Sequence, residues 1–126
     1  MAGNAVIVAG FGCRRQATPA SLQAAFARVR TQVPAIAALA APSDRVALLE
    51  PLARQCGLAV IEIPPDRLPT IATLTQSEHS RRARGTGSVA EAVALAAAGS
   101  GARLLLPRHI GPDRLATCAV ATGEDP

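Results

Sequence analysis

The residues best suited to chemistry lie between positions 75 and 95, where an arginine-dense polar segment meets a glycine turn and an alanine-rich stretch. Ser88 is a favourable helix N-cap, and Glu91 three residues later completes the sequence pattern of a capping box. The Gly85–Gly87 turn just before it leaves room for a group to approach the backbone. Because the free N–H groups at a helix start attract anions, the segment predicts either an anion site or an ordinary capped helix after a solvated basic turn.

Three arginines, Arg81, Arg82 and Arg84, lie in the same segment. Guanidinium groups bind carboxylates and phosphates in bidentate geometry, so an acidic ligand would use them. The neighbouring Ser77-Glu78-His79 offers a nucleophile, an acid and a base by residue type. Adjacent side chains rarely point at one atom, however, so no catalytic residue is assigned.

Another glycine motif, GFGCRR, runs from Gly10 to Arg15 directly after an apolar run, and we call it the first glycine motif because it comes first in the chain. It lacks the third glycine of a dinucleotide-binding loop, because Gln16 and Ala17 occupy that place. Cys13, beside two cations, is interpreted either as a thiol of lowered pKa or as a small residue lining a tight turn. In open α/β sheets such a loop lies at the edge where ligands bind.

A chain of 126 residues is long enough for one hydrophobic core, so we expect a single domain over residues 1–126. All thirteen cations are arginine and the net charge is +4. This fits an acidic partner, but GC-rich coding bias gives the same composition, so the charge does not argue for nucleic acid. With only two aromatic residues, Phe11 and Phe26, platforms for base stacking are scarce.

Cysteine and histidine usage indicates reduced thiols and no metal site. The three cysteines are far apart and show no CxxC spacing, while His79 and His109 have no partner at a metal-ligand spacing. No apolar run is long enough to span a bilayer, and no leader segment is recognisable. We therefore expect a cytoplasmic protein without metal, cofactor, nucleic acid or membrane.

The elements that must position these residues alternate between strands and helices. Strands are predicted at residues 5–9, 35–40, 58–63, 104–106 and 115–121. Helices are predicted after the Thr18 cap, from near Pro51 to Gly57, and at residues 89–98. The 107–114 turn is too short for a parallel crossover, and residues 123–126 are expected to be a frayed tail. The pattern predicts an α/β fold of three α/β/α layers, with a mainly parallel sheet and an antiparallel C-terminal edge hairpin.

Five motifs, in this order, resemble one protein family. They are GFGCRR (10–15), the Ser77-Glu78 pair, Gly85, SVAEAVAL (88–95) and the closing LLLPR with ATCAVA (104–108 and 116–121). The combination is similar to the C-terminal domain of the cobalamin-biosynthesis protein CbiG and to its stand-alone relatives of the CobE type. The resemblance spans most of the chain and implies a three-layer α/β fold with a role in corrin-ring biosynthesis.

The resemblance implies binding or processing of a precorrin intermediate. Longer relatives open the precorrin-5 lactone with loss of acetaldehyde, but we expect no counterpart of their additional N-terminal domain in this chain. Family lysines are also replaced, with Ser43, Asp44 and Arg45 before the second helix and Arg108 after a later strand. Arginine does not release its proton, so lysine-based catalysis is not expected.

The residue patterns and the resemblance together predict a site for a carboxylate-fringed corrinoid, where the first glycine motif and the Thr86–Ser88 turn lie side by side. Other cobalamin-pathway enzymes are further candidate partners. The alternatives are a lactone hydrolase and a nucleotide- or nucleic-acid-binding module. The expected ligand-binding residues are Gly10, Gly12, Cys13, Arg14, Arg15, Ser77, Glu78, Gly85, Thr86, Gly87, Ser88 and Arg108.

Overall fold

Five strands and four helices make up the computed structural model, which describes residues 6–123. The strands are β1 (Ile7–Cys13), β2 (Ala38–Pro42), β3 (Ala59–Ile63), β4 (Arg103–Ile110) and β5 (Ala116–Thr122). The helices are α1 (Pro19–Arg30), α2 (Val46–Cys56), α3 (Glu78–Arg84) and α4 (Val89–Ala98). Single 3-10 segments at Ser43–Arg45 and Pro65–Thr70 complete the regular structure.

The sheet has the strand order β3-β2-β1-β5-β4. Strands β1, β2 and β3 are parallel, which brings their carboxyl ends to one edge. Strand β5 is antiparallel to β1, and β4 is antiparallel to β5. This confirms the predicted α/β fold with a mainly parallel sheet and a C-terminal antiparallel hairpin. Of the two hairpin strands, β4 forms the edge of the sheet and β5 lies inside it.

Helices cover both faces of the sheet because the strand residues alternate between two cores. Ala9, Phe11 and Leu39 point to the face covered by α1 and α2. Val8 and Ala40 point to the opposite face, where Val93 of α4 packs. The predicted three-layer arrangement is confirmed.

Residues 10–13 of the first glycine motif belong to a strand and not to the loop that the sequence predicted. Strand β1 continues through Cys13, and Gly10 and Gly12 pair with β5 opposite Ala119 and Thr117. A Cβ atom at Gly10 would lie 2.4 Å from the Ala90 carbonyl oxygen of α4. The glycines therefore allow a helix backbone to pack directly on the strand.

Three other boundaries differ from the expectation. Strand β4 continues through Pro107 to Ile110, which an edge strand with register shifts tolerates because its outer N–H groups need no partner. Helix α2 begins at Val46 and contains Pro51, so the single missing backbone donor does not stop it. The basic segment before Gly85 forms the short helix α3 and not a turn.

The remaining differences concern the chain ends and the second strand. Strand β2 covers Ala38–Pro42, a shift toward the carboxyl side of the predicted 35–40 run. Ala5, at the start of the predicted first strand, and residues 124–126 of the predicted tail lie outside the described residues.

Candidate functional site

A cleft of about 780 Å³ opens at the carboxyl ends of β1 and β2. Cys13 and Pro42 end these two strands, Ile110 ends β4, and Leu115 precedes β5. Helix α3 and the first residue of α4, Val89, form the opposite side. This edge is where open α/β sheets bind ligands, since the loops that follow the strands gather there.

The cleft is strongly cationic, and we call it the arginine cleft. Its lining includes six arginines and one carboxylate, that of Asp113. Asp113 accepts hydrogen bonds from the Ser21 hydroxyl at 2.6 Å and the Leu115 N–H at 2.9 Å, and these hold the pKa of Asp113 below its usual value. The arginines are Arg14, Arg15, Arg45, Arg84, Arg108 and Arg114.

One of these guanidinium groups is fixed by an ion pair at the rim of the cleft. Both terminal nitrogens of Arg84 donate to the two carboxylate oxygens of Asp44 at 2.8 Å. The hydrogen bond from Arg84 holds the pKa of Asp44 below its usual value. Because Arg84 ends α3 and Asp44 lies before α2, the pair joins two walls of the arginine cleft.

Cys13 lines the cleft as a protonated thiol. Burial raises the pKa of Cys13, and the positive charges of Arg45 and Arg84 oppose this increase without overcoming it. The interpretation of Cys13 as a thiol of lowered pKa is therefore wrong, because withdrawal from water has the larger effect. At neutral pH the residue contributes a small, weakly polar surface.

The start of α4 lies beside the first glycine motif, as predicted. A Cβ atom at Gly12 would lie 3.0 Å from the Val89 Cβ and 3.2 Å from the Ala90 nitrogen. Ser88 caps the helix, since its hydroxyl accepts a hydrogen bond from the Glu91 N–H at 3.2 Å. The two segments thus meet by direct packing.

The space expected beside the Thr86–Ser88 turn is filled by another part of the chain. Ser77 donates its N–H to the Gly87 carbonyl oxygen at 2.8 Å, and a Cβ atom at Gly87 would lie 2.4 Å from the Thr75 carbonyl oxygen. Thr86 and Ser88 are buried. The helix start is therefore covered by residues 73–77, and the positive charge of the cleft comes from arginine side chains.

The predicted ligand-binding residues divide into two equal groups. Those that line the arginine cleft are Gly12, Cys13, Arg14, Arg15, Ser77 and Arg108. Those outside its lining are Gly10, Glu78, Gly85, Thr86, Gly87 and Ser88. Glu78 instead forms an exposed ion pair with Arg82 at 3.4 Å. Gly10 and Gly87 serve close backbone packing.

Three charged residues of the cleft were not predicted. Arg45 follows the carboxyl end of β2, so the rule for parallel sheets could have identified it. Asp113 and Arg114 lie in the turn between β4 and β5, and only the pairing of β5 with β1 brings that turn to the cleft.

Glu91 does not complete the capping box that its spacing predicted. Its carboxylate instead accepts hydrogen bonds from Leu74, Thr75 and Arg108 at 2.6 to 2.9 Å. Burial alone would raise the pKa of Glu91, but the hydrogen bonds from Thr75, Arg108 and Leu74 outweigh burial and lower it. Contacts so distant in sequence leave no local signal.

Among residues 6–123, no group of three or more His, Cys, Asp and Glu side chains could hold a metal ion. In the same range, every helix is too short or too polar to cross a membrane.

Residues 7–121 match the model of the family described as cobalamin synthesis G C-terminus. The chain is 28% identical to CobE, a protein from the cobalamin (vitamin B12) biosynthetic pathway, with a TM-score of 0.85 over 100% of this chain and 96% of that one. It is 34% identical to the cobalamin biosynthesis protein chiG from Agrobacterium tumefaciens, with a TM-score of 0.72 over 95% of this chain and 100% of that one.

A longer protein shares the fold alone. This is a cobalamin biosynthesis protein G homologue from Sulfolobus solfataricus, 20% identical, with a TM-score of 0.74 over 97% of this chain and 38% of that one. Among curated proteins, none matches the chain. Because the family model covers nearly the whole described sequence, the chain belongs to the cobalamin synthesis G C-terminus family and takes part in cobalamin biosynthesis.

Proposed function

We propose that the chain binds a precorrin intermediate through its carboxylates in the arginine cleft. The observation that carries the proposal is that six arginine residues and a single acidic residue line one cleft, and within residues 6–123 only Arg84 among the six is paired with a carboxylate at its rim. Precorrins carry a fringe of acetate and propionate groups, and arginine binds such groups in bidentate geometry. Family membership supports the choice of a corrinoid over other polyanions.

The arginine cleft also offers apolar surface for part of a macrocycle. Pro42, Val89, Ile110 and Leu115 lie among the arginines. Its volume of about 780 Å³ falls in the range of ligand pockets, roughly 300–1,000 Å³. Phe11 and Phe26 are both buried in the core, so recognition depends on the acidic fringe of the ring and not on aromatic stacking.

A titration with hydrogenobyrinic acid, followed by the visible spectrum, tests this proposal. The double variant Arg14→Ala/Arg15→Ala should weaken binding at least tenfold, because each charged hydrogen bond contributes about 1.5–3 kcal/mol. The matched control is Arg54→Ala/Arg67→Ala, which removes the same charge at two exposed residues outside the cleft. Equal losses in the two variants, or no spectral change with the wild type, would contradict the proposal.

Cysteine labelling locates the ligand independently of arginine substitution. Cys13 lines the cleft and Cys56 lies on α2 away from it, and both are partly exposed. Hydrogenobyrinic acid should slow alkylation of Cys13 and leave the rate at Cys56 unchanged. Binding without protection of Cys13 would place the ligand elsewhere.

Mass analysis of the corrinoid after incubation separates binding from processing. An unchanged ligand mass is the result expected for binding alone. Loss of a two-carbon fragment would indicate the hydrolase instead. A cytoplasmic site of action forms part of the same proposal.

A further inference from the structure

Glu91 is the one fully buried charged residue among residues 6–123. A carboxylate withdrawn from water destabilises a protein unless hydrogen bonds replace its hydration. The rest of the buried face of α4 is apolar and packs on the sheet without polar contacts, for example through Ala92 and Val93. Packing of α4 therefore does not require a charge at this position.

The carboxylate of Glu91 joins two separate segments to α4. One oxygen accepts the N–H groups of Leu74 and Thr75, each at 2.9 Å. The other accepts the Thr75 hydroxyl at 2.6 Å and the Arg108 N–H at 2.9 Å. Four donors thus converge on one side chain, two at each oxygen.

Both segments lead to residues of the arginine cleft. Arg108 itself lines the cleft on the side of β4. Residues 74 and 75 lead to Ser77, the N-cap of α3, and α3 carries Arg84 on the other side of the cleft. The relative position of these two walls therefore depends on a carboxylate that lies outside the lining.

We propose that Glu91 is a positioning residue for ligand binding, which holds Arg108 and the segment leading to α3 at the spacing that a corrinoid requires. The inference rests on the proposed function and adds a residue that does not itself contact the ligand. A merely structural Glu91 would contribute to stability without any specific dependence on Arg108.

The substitution Glu91→Gln should remove the hydrogen bond to Arg108 and keep the bonds to Leu74 and Thr75. The amide oxygen can still accept the Leu74 and Thr75 N–H groups. The amide nitrogen then faces the Arg108 N–H, so that two donors oppose each other, whereas the Thr75 hydroxyl can rotate to accept. Hydrogen exchange should accordingly increase at the Arg108 amide, while amides of β1 remain protected.

A double-mutant cycle with Arg108→Ala tests whether Glu91 acts through Arg108. We expect Glu91→Gln to weaken hydrogenobyrinic acid binding about tenfold in the wild type and less than twofold in the Arg108→Ala background. The matched control is Glu50→Gln, which removes an exposed carboxylate on α2 and should leave binding unchanged. Independent, additive effects of the two substitutions would overturn the inference.

The outcomes distinguish this inference from the proposed function. If the wild type fails to bind, the proposed function fails and the positioning role falls with it. If the wild type and Glu91→Gln bind equally well, only the positioning role fails.

Should Glu91→Gln not fold, the variant Thr75→Val removes one of the four hydrogen bonds to Glu91 and keeps a side chain of similar shape. It should weaken binding severalfold with retained folding, and unaltered affinity in that variant would also overturn the inference.

Discussion

The arginines of the cleft differ in how firmly the protein holds them. Arg84 is fixed by its bidentate pair with Asp44. Arg108 is held through its backbone by the carboxylate of Glu91. Arg114 lies in the tight turn before β5 with a φ of 63°, the one positive value among non-glycine residues of the described chain. Glycine would adopt this turn without strain, so the backbone conformation alone does not favour an arginine here.

We predict that Arg114→Gly stabilises the protein and weakens ligand binding. Removing the strained left-handed conformation should raise the free energy of unfolding by on the order of 1 kcal/mol. Loss of the guanidinium should lower the affinity for hydrogenobyrinic acid. Urea denaturation and the spectral titration measure the two effects. Arg114→Ala is the control, since it loses the charge but keeps the strain, and a stability gain in that variant would contradict the explanation.

The lowered pKa of Glu91 predicts a loss of stability in acid. The unfolded side chain titrates near pH 4.3, and the folded one titrates lower, so the unfolded chain binds the proton more readily. The contribution of Glu91 is complete above that pH and disappears as the pH falls through the folded pKa. Urea denaturation between pH 3 and pH 7 should show a shallower decline for Glu91→Gln than for the wild type. Parallel curves would contradict this prediction.

At the scale of elements, direct packing of α4 on β1 brings the two glycine motifs together. Gly10 and Gly12 lie in the strand, and the backbone of α4 passes over them at distances that exclude larger residues. Close approach of α4 also brings Glu91 within reach of both Thr75 and Arg108. The geometry of this wall of the cleft therefore depends on the absence of side chains below the helix.

We predict that Gly10→Ala destabilises the protein by about 1–3 kcal/mol, the usual effect of overpacking. The added Cβ would lie 2.4 Å from the Ala90 oxygen and 2.5 Å from the Ala94 nitrogen, so α4 must move. Gly111→Ala is a milder control, because its Cβ would meet its nearest neighbours at 3.3 Å. Urea denaturation compares the two variants, and equal losses of stability would contradict the packing argument.

The Arg84–Asp44 pair should contribute more to the order of α3 than to global stability. The Asp44 side chain is 50% exposed, so solvent screening limits the coupling energy to about 0.2–1 kcal/mol. A double-mutant cycle with Arg84→Ala and Asp44→Asn measures this energy. Hydrogen exchange should increase in α3 in either single variant, because α3 loses its tie to the start of α2. Unchanged exchange in α3 would show that the pair does not restrain it.

For the molecule as a whole, the important property is the concentration of positive charge at one edge of the sheet. The net charge of the chain is only +4, yet six of its thirteen arginines line one cleft. Charges gathered in a cleft raise the local concentration of a ligand of opposite sign, and added salt screens this attraction.

We predict that binding of hydrogenobyrinic acid weakens at least tenfold when sodium chloride is raised from about 0.05 to 0.5 M, because the Debye length then falls well below 10 Å. A corrinoid whose carboxylates are amidated should bind more weakly and show little dependence on salt. Calorimetric titration of both ligands at the two salt concentrations measures the difference. Equal salt dependence for the two ligands would contradict recognition through carboxylates.

Local sequence patterns determined the main elements of this fold. The Thr18 and Ser88 caps, the apolar runs and the short β4–β5 connection predicted helices α1 and α4, the five strands and the hairpin, but not helix α3. They did so because caps and strand propensities depend on residues within a few positions of one another. Half of the ligand-binding residues that were expected from the motifs line the cleft.

Only the tertiary structure decided what the glycines and Glu91 do. The sequence could not show that Gly10 faces a helix, because its contacts lie some eighty residues away in α4. The pattern around Glu91 favoured a local cap, but donors 16 and 17 residues distant compete successfully for its carboxylate. The convergence of Arg45 and Arg114 with the first glycine motif likewise follows from strand order, since pairing between distant strands is set by packing of the whole core and not by neighbouring residues.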